Sequence, residues 1–434
     1  AIGYQALYVQ NAGADAYNIA IGYQTGVAVS TGVQNTLIGS KAGLALAGGD
    51  GVVAVGFEAL MTEDGNGNSV AVGRQALRTQ NAGAEAYNVA VGNGAGYNVS
   101  TGIHNTLIGG VAGDALKTGE ANVVIGYNAG GVGDNWSRCV AVGRAALGNH
   151  NPSGTSSTVT ANVAVGYDAL TTCNTGTNNT AIGYQAGQDL QGGENNVFIG
   201  LQAGDDTVSG ASNVAIGSGA LSANAGNGSV AIGFESAAAC TTAITAIGYR
   251  ASKASTVAVA NTAIGNNVLV ANVAAQLITA VGSNVLQTLN TTNANNYTTA
   301  MGYAAGLDAQ TASNNTLIGA LAGENITTGG ANVCFGRSAG DNIQTGGSNT
   351  CIGYDTAVSA EGSTNQIVLG VSIAGTENNQ FSFGKASNVV SNNFATNASF
   401  SRTSDVHKKT NIEDDTLGLD FINDLRTVTF NWKP

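Results

Sequence analysis

The chain has 434 residues, including 63 glycines and 2 prolines, with 10% charged and 6% aromatic side chains and a formal net charge of −12. The negative charge argues against a nucleic-acid partner, because phosphate backbones bind surfaces rich in Lys and Arg, and no apolar run is long enough to span a membrane. Frequent glycine with almost no proline is typical of repeated tight turns between short strands, with many thin cores in place of one thick core.

The first residues, "AIGYQAL", lie inside a repeat and lack an initiator Met, so we expect a portion of a longer protein. A glycine that ends an "AIG"-like triplet recurs 22 times from Gly3 to Gly370, and 15 of the 21 spacings are 17 residues. This unit is too short for the helical repeat families and predicts two short strands and two turns. We therefore expect an all-β parallel β-solenoid of about 22 coils over residues 1–375, on the order of 100 Å long at about 4.8 Å per coil.

We number each coil so that this glycine is position 5; positions 3 and 4 are then apolar in every copy. Because adjacent strand residues point to opposite faces, both faces are predicted to be buried, one inside the coil and one against a neighbouring chain. In the representative coil "NTAIGYQAG", Asn179 is predicted to join a ladder of stacked amides. Ile182 is predicted to be buried, Gly183 to turn the chain and Ala186 to permit close approach of backbones. An apolar position 12 followed by Gly at position 15 predicts the second strand and its turn.

Position 6 is Tyr in eight copies, and two roles stay open for this row. The rings could stack on sugar rings, or they could cover the edge of a core, which is the commoner use of such aromatics.

A second period of four coils is visible in the spacings, and most four-coil blocks begin with a longer connection. These connections are "YVQNAGADAYN" (8–18), "RTQNAGAEAYN" (78–88), "GNHNPSGTSSTVTAN" (148–162) and "QTLNTTNANNYT" (287–298). Loops on a rigid scaffold are frequent binding sites, so one hypothesis is an array of polar loops roughly 19 Å apart. The alternative is recent duplication of a four-coil block with neutral drift in the loops.

The five cysteines show no CxxC spacing, so neither a metal site nor a disulfide framework is indicated. Cys334 and Cys351 occupy position 3 of successive coils, which leaves two alternatives open. They form a disulfide or, as we favour, two small buried hydrophobic side chains. The chain lacks GxxxxGK[ST] and has three scattered histidines, so we expect no cofactor or metal.

The repeats fade through a transition segment, 376–403, and charged residues reach ordinary density in 404–434. There, Leu417, Phe421 and Leu425 are spaced as in an amphipathic helix, and "TVTFNW" alternates as in a strand. The run "TSDVHKKTNI…GLDFINDLRTVTFNWKP" resembles the opening of the endosialidase-type intramolecular chaperone that ends many bacteriophage tail fibres and tailspikes.

That resemblance implies a small α+β domain that drives homotrimer formation and folding of the stalk. It also implies self-cleavage just before Ser404, with Lys409 taking the serine proton, although His407 stands where the family commonly has Arg. The repeats, in stretches such as "NGNSVAVG" and "NGSVAIG", are similar to the heads of trimeric autotransporter adhesins, which are also trimers.

These observations together predict a structural fibre on a virion surface, or otherwise extracellular, that adheres to a host glycan or receptor. Beyond a single-turnover self-cleavage we expect no enzymatic activity. Two alternatives stay open, a tailspike polysaccharide depolymerase and a cellular trimeric surface adhesin.

Overall fold

The structure, a computed structural model, describes residues 1–12, 15–65, 67–152, 158–257, 259–291 and 295–396. Over these residues the chain winds into a parallel β-solenoid in which nearly every coil contributes one short strand, and no helix occurs among them. The all-β solenoid fold predicted from the repeat is confirmed.

The strands, numbered in chain order, are mostly three residues long. They are β1 (Ile19–Ile21), β2 (Thr36–Ile38), β3 (Val53–Val55), β4 (Val70–Val72), β5 (Val89–Val91), β6 (Thr106–Ile108), β7 (Val123–Ile125), β8 (Trp136–Ser137), β9 (Val140–Val142), β10 (Thr158–Val159), β11 (Val163–Val165), β12 (Thr180–Ile182), β13 (Val197–Ile199), β14 (Val214–Ile216), β15 (Val230–Ile232), β16 (Thr245–Ile247), β17 (Thr262–Ile264), β18 (Thr279–Val281), β19 (Thr299–Met301), β20 (Thr316–Ile318), β21 (Val333–Phe335), β22 (Thr350–Tyr354), β23 (Ile367–Val371), β24 (Gln380–Lys385) and β25 (Asn388–Asn393).

One long sheet runs along the solenoid, and its parallel strands pair in chain order from β1 to β24, with β8 and β10 forming a separate pair. Pairing is in register, so Ala181 of β12 lies beside Phe198 of β13. At the carboxyl end, β25 pairs antiparallel with β24. The middle residue of each three-residue strand of the long sheet is buried and its two neighbours are less so, as in the pattern of β12. Position 3 therefore builds the continuous core.

The prediction of a second strand in each coil is wrong. Hydrogen bonds between coils continue there, for example from the Leu170 N–H to the Ala186 carbonyl at 3.0 Å. However, the residues at positions 7 and 9 have positive φ, such as 55° at Gln185 and 58° at Gly187. This left-handed conformation interrupts the extended backbone that a strand requires, so most coils combine one strand with an arc of turns.

The core holds about one large side chain per coil on this arc, at either position 9 or position 12. Gly187 at position 9 is paired with Leu190 at position 12, whereas the preceding coil has Leu170 and the smaller Cys173. A Cβ on Gly187 would lie only 2.7 Å from Cδ2 of Phe198. Because protein interiors are close-packed, Gly at position 9 makes room for the apolar side chain at position 12 of the same coil.

All five cysteines are buried free thiols. Cys334 and Cys351 pair in register on adjacent strands, and neither forms a disulfide. The sequence left open a disulfide or two small buried side chains, and the second alternative is correct.

Candidate functional site

Asn179, the representative ladder residue, is fully buried and connects neighbouring coils. Its backbone N–H donates to Oδ1 of Asn162 at 2.9 Å, and its Oδ1 accepts from the N–H of Asn196 at 3.0 Å. Its Nδ2 donates to the Gly193 carbonyl at 2.8 Å. Asn at position 1 and Gly at position 15 thus belong to one hydrogen-bonded unit, which repeats at other ladder asparagines.

The other three residues of the representative coil lie at different depths. Gly183 has φ of 141°, and a Cβ there would collide with the Gly200 carbonyl of the next coil. Ala186 is buried, and its N–H donates to the Gly183 carbonyl at 3.4 Å across a turn. Ile182, in contrast, is 40% exposed on the outside of the coil.

Ile182 belongs to a largely apolar surface, which we call the apolar ribbon and define as positions 2, 4 and 6 of all coils. Position 2 is Val, Ile or Thr, and position 6 also takes polar residues such as Arg74 and Asn93. Position 4 is apolar in all 22 copies, and position 2 lies beside it on the outer face of the same strand. In the single chain the ribbon exposes, at positions 2 and 4, Ile2, Ile19, Ile21, Ile38, Val91, Ile108, Ile182, Met301, Phe335 and Ile352, and, at position 6, Tyr4, Tyr23, Phe57, Tyr127, Tyr167, Tyr184, Leu201, Phe234, Tyr249, Tyr303, Tyr354 and Val371. Position 4 thus supplies an exposed or partly exposed apolar side chain in every coil, and exposed apolar surface that is this extended is typical of an interaction surface.

Aromatic rings at position 6 stack on one another between coils. The centroids of Tyr167 and Tyr184 are 5.4 Å apart with nearly parallel rings, and Phe234 and Tyr249 are 5.5 Å apart. The Arg144 guanidinium lies 5.0 Å from the Tyr167 centroid. Within these pairs each ring covers one face of its neighbour, as expected of rings that cover the edge of a core.

The second long connection, residues 78–88, is fixed at its base by a buried polar group at position 12. Gln80 donates to the carboxylate of Glu63 at 3.0 Å and to Oγ of Ser69 at 3.1 Å, and it accepts from Nδ2 of Asn88 at 2.8 Å. All four side chains are fully buried. The loop therefore leaves the solenoid and returns to it at two hydrogen-bonded points.

The outer part of this connection carries an acid and a tyrosine. The Tyr87 hydroxyl donates to the Glu85 carboxylate, and its ring lies parallel to the His104 imidazole at 5.9 Å. The first connection repeats the arrangement, since the Tyr17 hydroxyl donates to Oδ2 of Asp15 at 3.1 Å. Sequence reasoning noted these loops but missed the acid–tyrosine pair; its signal is the shared "A(D/E)AYN".

The third connection is anchored by His150, also at position 12 and fully buried. Its Nδ1 lies 3.0 Å from the Cys173 carbonyl, so Nδ1 carries the proton, and its Nε2 accepts from Oγ1 of Thr160 at 3.0 Å. The Sγ of Cys139 is 2.9 Å from the same Oγ1. Burial lowers the pKa of His150 from 6.5 to about 4, so this network holds the neutral imidazole at neutral pH.

Acidic residues on successive coils gather at positions 10 and 11. Burial, followed by the charges of Asp206 and Asp189, raises the pKa of Asp205 to about 6. Burial, followed by the charges of Asp308 and Asp341, likewise raises the pKa of Glu324. In the sequence these acids are spaced by one coil. That spacing was the signal for their proximity, although the sequence analysis identified no pair of carboxylates.

Ser404 and Lys409, and the helix and strand predicted after them, lie outside the described residues. Within the described residues, no group of three His, Cys, Asp or Glu side chains is placed to hold a metal ion. A search for helices able to cross a membrane, over the same residues, found none. No protein-family model and no curated protein matches this chain.

Proposed function

We propose that this chain is the shaft of a homotrimeric fibre, such as a bacteriophage tail fibre, that extends from a virion and adheres to a host-cell surface. The observation that carries the proposal is the apolar ribbon along a solenoid on the order of 100 Å long. A rigid rod supplies reach, and the ribbon supplies a surface for assembly.

The partner that covers the ribbon is another copy of the same chain. The exposed side chains recur once per coil, at about 4.8 Å, so a partner must present matching rows at the same spacing over the same length. A second copy of this chain presents such rows because it has the same repeat and the same length. The number three comes from the two family resemblances, both of which are to trimers.

Adhesion is assigned to the long connections because the ribbon and the ladder are already used to build the rod. Gln80 and His150 fix the bases of two connections to the core. Three chains, each with several loops, would combine weak sites into strong attachment, since linked sites bind with high effective concentration.

Thiol labelling tests the assembly without depending on a known receptor. The native cysteines are buried, so a new cysteine at Ile182 or at the exposed Thr175 should be the reactive one. In the assembled fibre we expect Thr175→Cys to react quickly and Ile182→Cys to be protected. Dissociation by denaturant should remove that protection. Equal reactivity in the native protein would contradict a covered ribbon.

The carboxyl-terminal segment is proposed to begin the chaperone that drives trimer formation, with Ser404 and Lys409 in self-cleavage. Intact mass spectrometry of the product with its natural downstream sequence tests this. Ser404→Ala should abolish a cleavage that the unaltered chain undergoes, and an unchanged cleavage pattern would overturn the assignment.

The depolymerase alternative has one specific observation in its favour. A carboxyl group with a raised pKa beside other carboxylates, as at Asp205, is the kind of group that glycosidases use as a general acid. Incubation with purified host polysaccharide distinguishes the functions. Sustained release of oligosaccharides that is lost in Asp205→Asn would favour the enzyme over the adhesive shaft, whereas a cellular adhesin would instead require a downstream membrane anchor.

A further inference from the structure

An exposed tyrosine occupies the same structural place at the end of three of the long connections. Tyr17, Tyr87 and Tyr297 each directly precede position 1 of the next coil, and they are 73%, 50% and 57% exposed. In the first two connections an acid two residues earlier accepts the tyrosine hydroxyl. The pairs Asp15–Tyr17 and Glu85–Tyr87 are 70 residues apart, which is one four-coil block.

The backbone at this place is unfavourable for a bulky side chain. Tyr17 and Tyr87 have φ of 50° and 48°. These values lie in the left-handed region, which is energetically unfavourable for L-residues other than Asn and Asp. Coils without a long connection often have Asn here, as at Asn178 and Asn314, with φ of 57° and 59°. The solenoid imposes positive φ at this place whatever the residue, as at His104 and Ala121 with φ of 60° and 56°, so Asn is a residue that fits here with little strain.

The loop and the next coil hold each pair in place. The N–H of His104 donates to the Ala86 carbonyl at 2.7 Å, and Gln34 makes the same bond to Ala16 at 2.7 Å. Gln80, beneath the second loop, is part of the buried network at its base. Each pair is therefore presented by a supported segment and repeats at a fixed spacing along the rod.

The chemistry of the pair selects the charge of its ligand. An ionised carboxylate only accepts hydrogen bonds, and a tyrosine ring attracts cations through its negative face. The chain as a whole carries a net charge of −12, which repels anions and raises the local concentration of cations. A ligand that presents an ammonium group together with an apolar surface meets all of these conditions.

We propose that Asp15–Tyr17 and Glu85–Tyr87 are binding sites for saccharide units that carry a free ammonium group. The ammonium group pairs with the carboxylate, and the sugar packs against the exposed part of the tyrosine. The inference rests on the proposed adhesive function, and it adds that acidic glycans are rejected.

Three oligosaccharides of equal length test the selectivity on the whole assembled protein. They are a glucosamine tetramer, the corresponding neutral N-acetylglucosamine tetramer and an acidic galacturonate tetramer. Ligand-observed NMR titration measures weak dissociation constants. We expect the glucosamine tetramer to bind about fivefold more tightly than the neutral tetramer, with no binding of the acidic one.

Tyr→Asn substitutions distinguish binding at these tyrosines from a general attraction of the cationic ligand to a negatively charged surface. The double variant Tyr17→Asn/Tyr87→Asn adopts a residue that other coils use at this place, so folding should be preserved, and it should lose about fivefold in glucosamine affinity. Tyr297→Asn is the matched control, because residue 295 two positions earlier is Asn and not an acid. We expect it to leave the affinity unchanged. The carboxylates are tested by Asp15→Asn/Glu85→Gln, which should remove the preference for the charged tetramer.

The proposal is overturned if the double tyrosine variant binds glucosamine as well as the unaltered protein does, or if the neutral or acidic tetramer binds equally well. Binding of the fibre to host cells distinguishes failure of these sites from failure of the proposed adhesive function. Normal attachment by the double tyrosine variant would refute these sites and leave the adhesive function standing, whereas failure of the unaltered fibre to attach to any host cell would refute the function itself.

Discussion

Acidification is predicted to loosen the coil that carries the third long connection, because its base is held by neutral His150. Burial lowers the pKa of His150 from 6.5 to about 4, against a smaller opposite effect of the hydrogen bond to Cys173. The folded coil therefore takes up a proton less readily than the unfolded coil. Its stability is intact above pH 6.5, decreases as the pH falls from 6.5 to about 4, and levels off below that. At about 1.36 kcal/mol per pKa unit, the loss is about 3 kcal/mol.

The groups in contact with His150 do not titrate in this window. Its described contacts are the edge-packed Trp136 ring, the Thr160 hydroxyl, the Asn162 amide and the Cys173 carbonyl. Burial raises the pKa of the nearby Cys139 thiol, and that of Cys173 to about 12, so both thiols stay neutral. The change can therefore be attributed to the imidazole.

Local hydrogen exchange is the appropriate assay, because solenoids open in parts and not as one two-state unit. The amide protons of Asn162 and Cys173 report on this coil in the unaltered chain and in His150→Gln, compared at pH 7 and pH 4 after correction for intrinsic exchange. Gln occupies the same position at Gln80, so the variant should fold. We expect protection to fall about a hundredfold at pH 4 in the unaltered chain and much less in the variant. An equal fall in both proteins would refute the reasoning.

Three further predictions concern the ladder, the ribbon and the acidic row. Asn179→Ala should lower the free energy of local unfolding by about 2 to 4 kcal/mol, because it leaves the buried N–H and C=O groups of neighbouring coils without partners. Exchange of the Asn196 amide measures this, with exposed Thr175→Ala as the neutral control, and equal effects would contradict the ladder. Ile182→Lys should weaken assembly while the circular dichroism spectrum of the solenoid is retained; unchanged assembly at micromolar concentration would count against the ribbon as the interface. Because the folded-state pKa of Asp205 is raised to about 6, its contribution to stability is present at low pH and lost as the pH rises from 3.8 to 6. Asp205→Asn should therefore stabilise the chain against urea at pH 7 and have little effect at pH 4, and the opposite order would be inconsistent with a destabilising ionised carboxylate.

The repeat made the solenoid predictable from the sequence. A 17-residue spacing with apolar residues at positions 3 and 4 fixes a short strand in each coil, and residues such as Ala181 and Phe198 are buried at the expected register. The second strand was not predictable in the same way. Apolar residues at position 12, such as Leu190, indicate burial but not backbone conformation, and the left-handed residues at positions 7 and 9 decide the outcome.

The candidate sites were only partly visible in the sequence. The long connections were recognisable as insertions, yet the roles of Gln80 and His150 depend on their position relative to Leu77 and Leu147 at position 9. In both coils position 9 carries Leu, and the buried polar side chain at position 12 anchors the loop. The pairing of Asp15 with Tyr17 required the conformation of the loop, which no periodicity specifies.

The mass of the particle in solution tests the central claim, that the apolar ribbon is an interface between copies of this chain. Sedimentation equilibrium at micromolar concentration should give three times the chain mass of 43.0 kDa, which is 129 kDa. Ile182→Lys should shift the equilibrium toward 43.0 kDa. A folded and soluble particle that remains at 43.0 kDa over the whole concentration range would contradict the account.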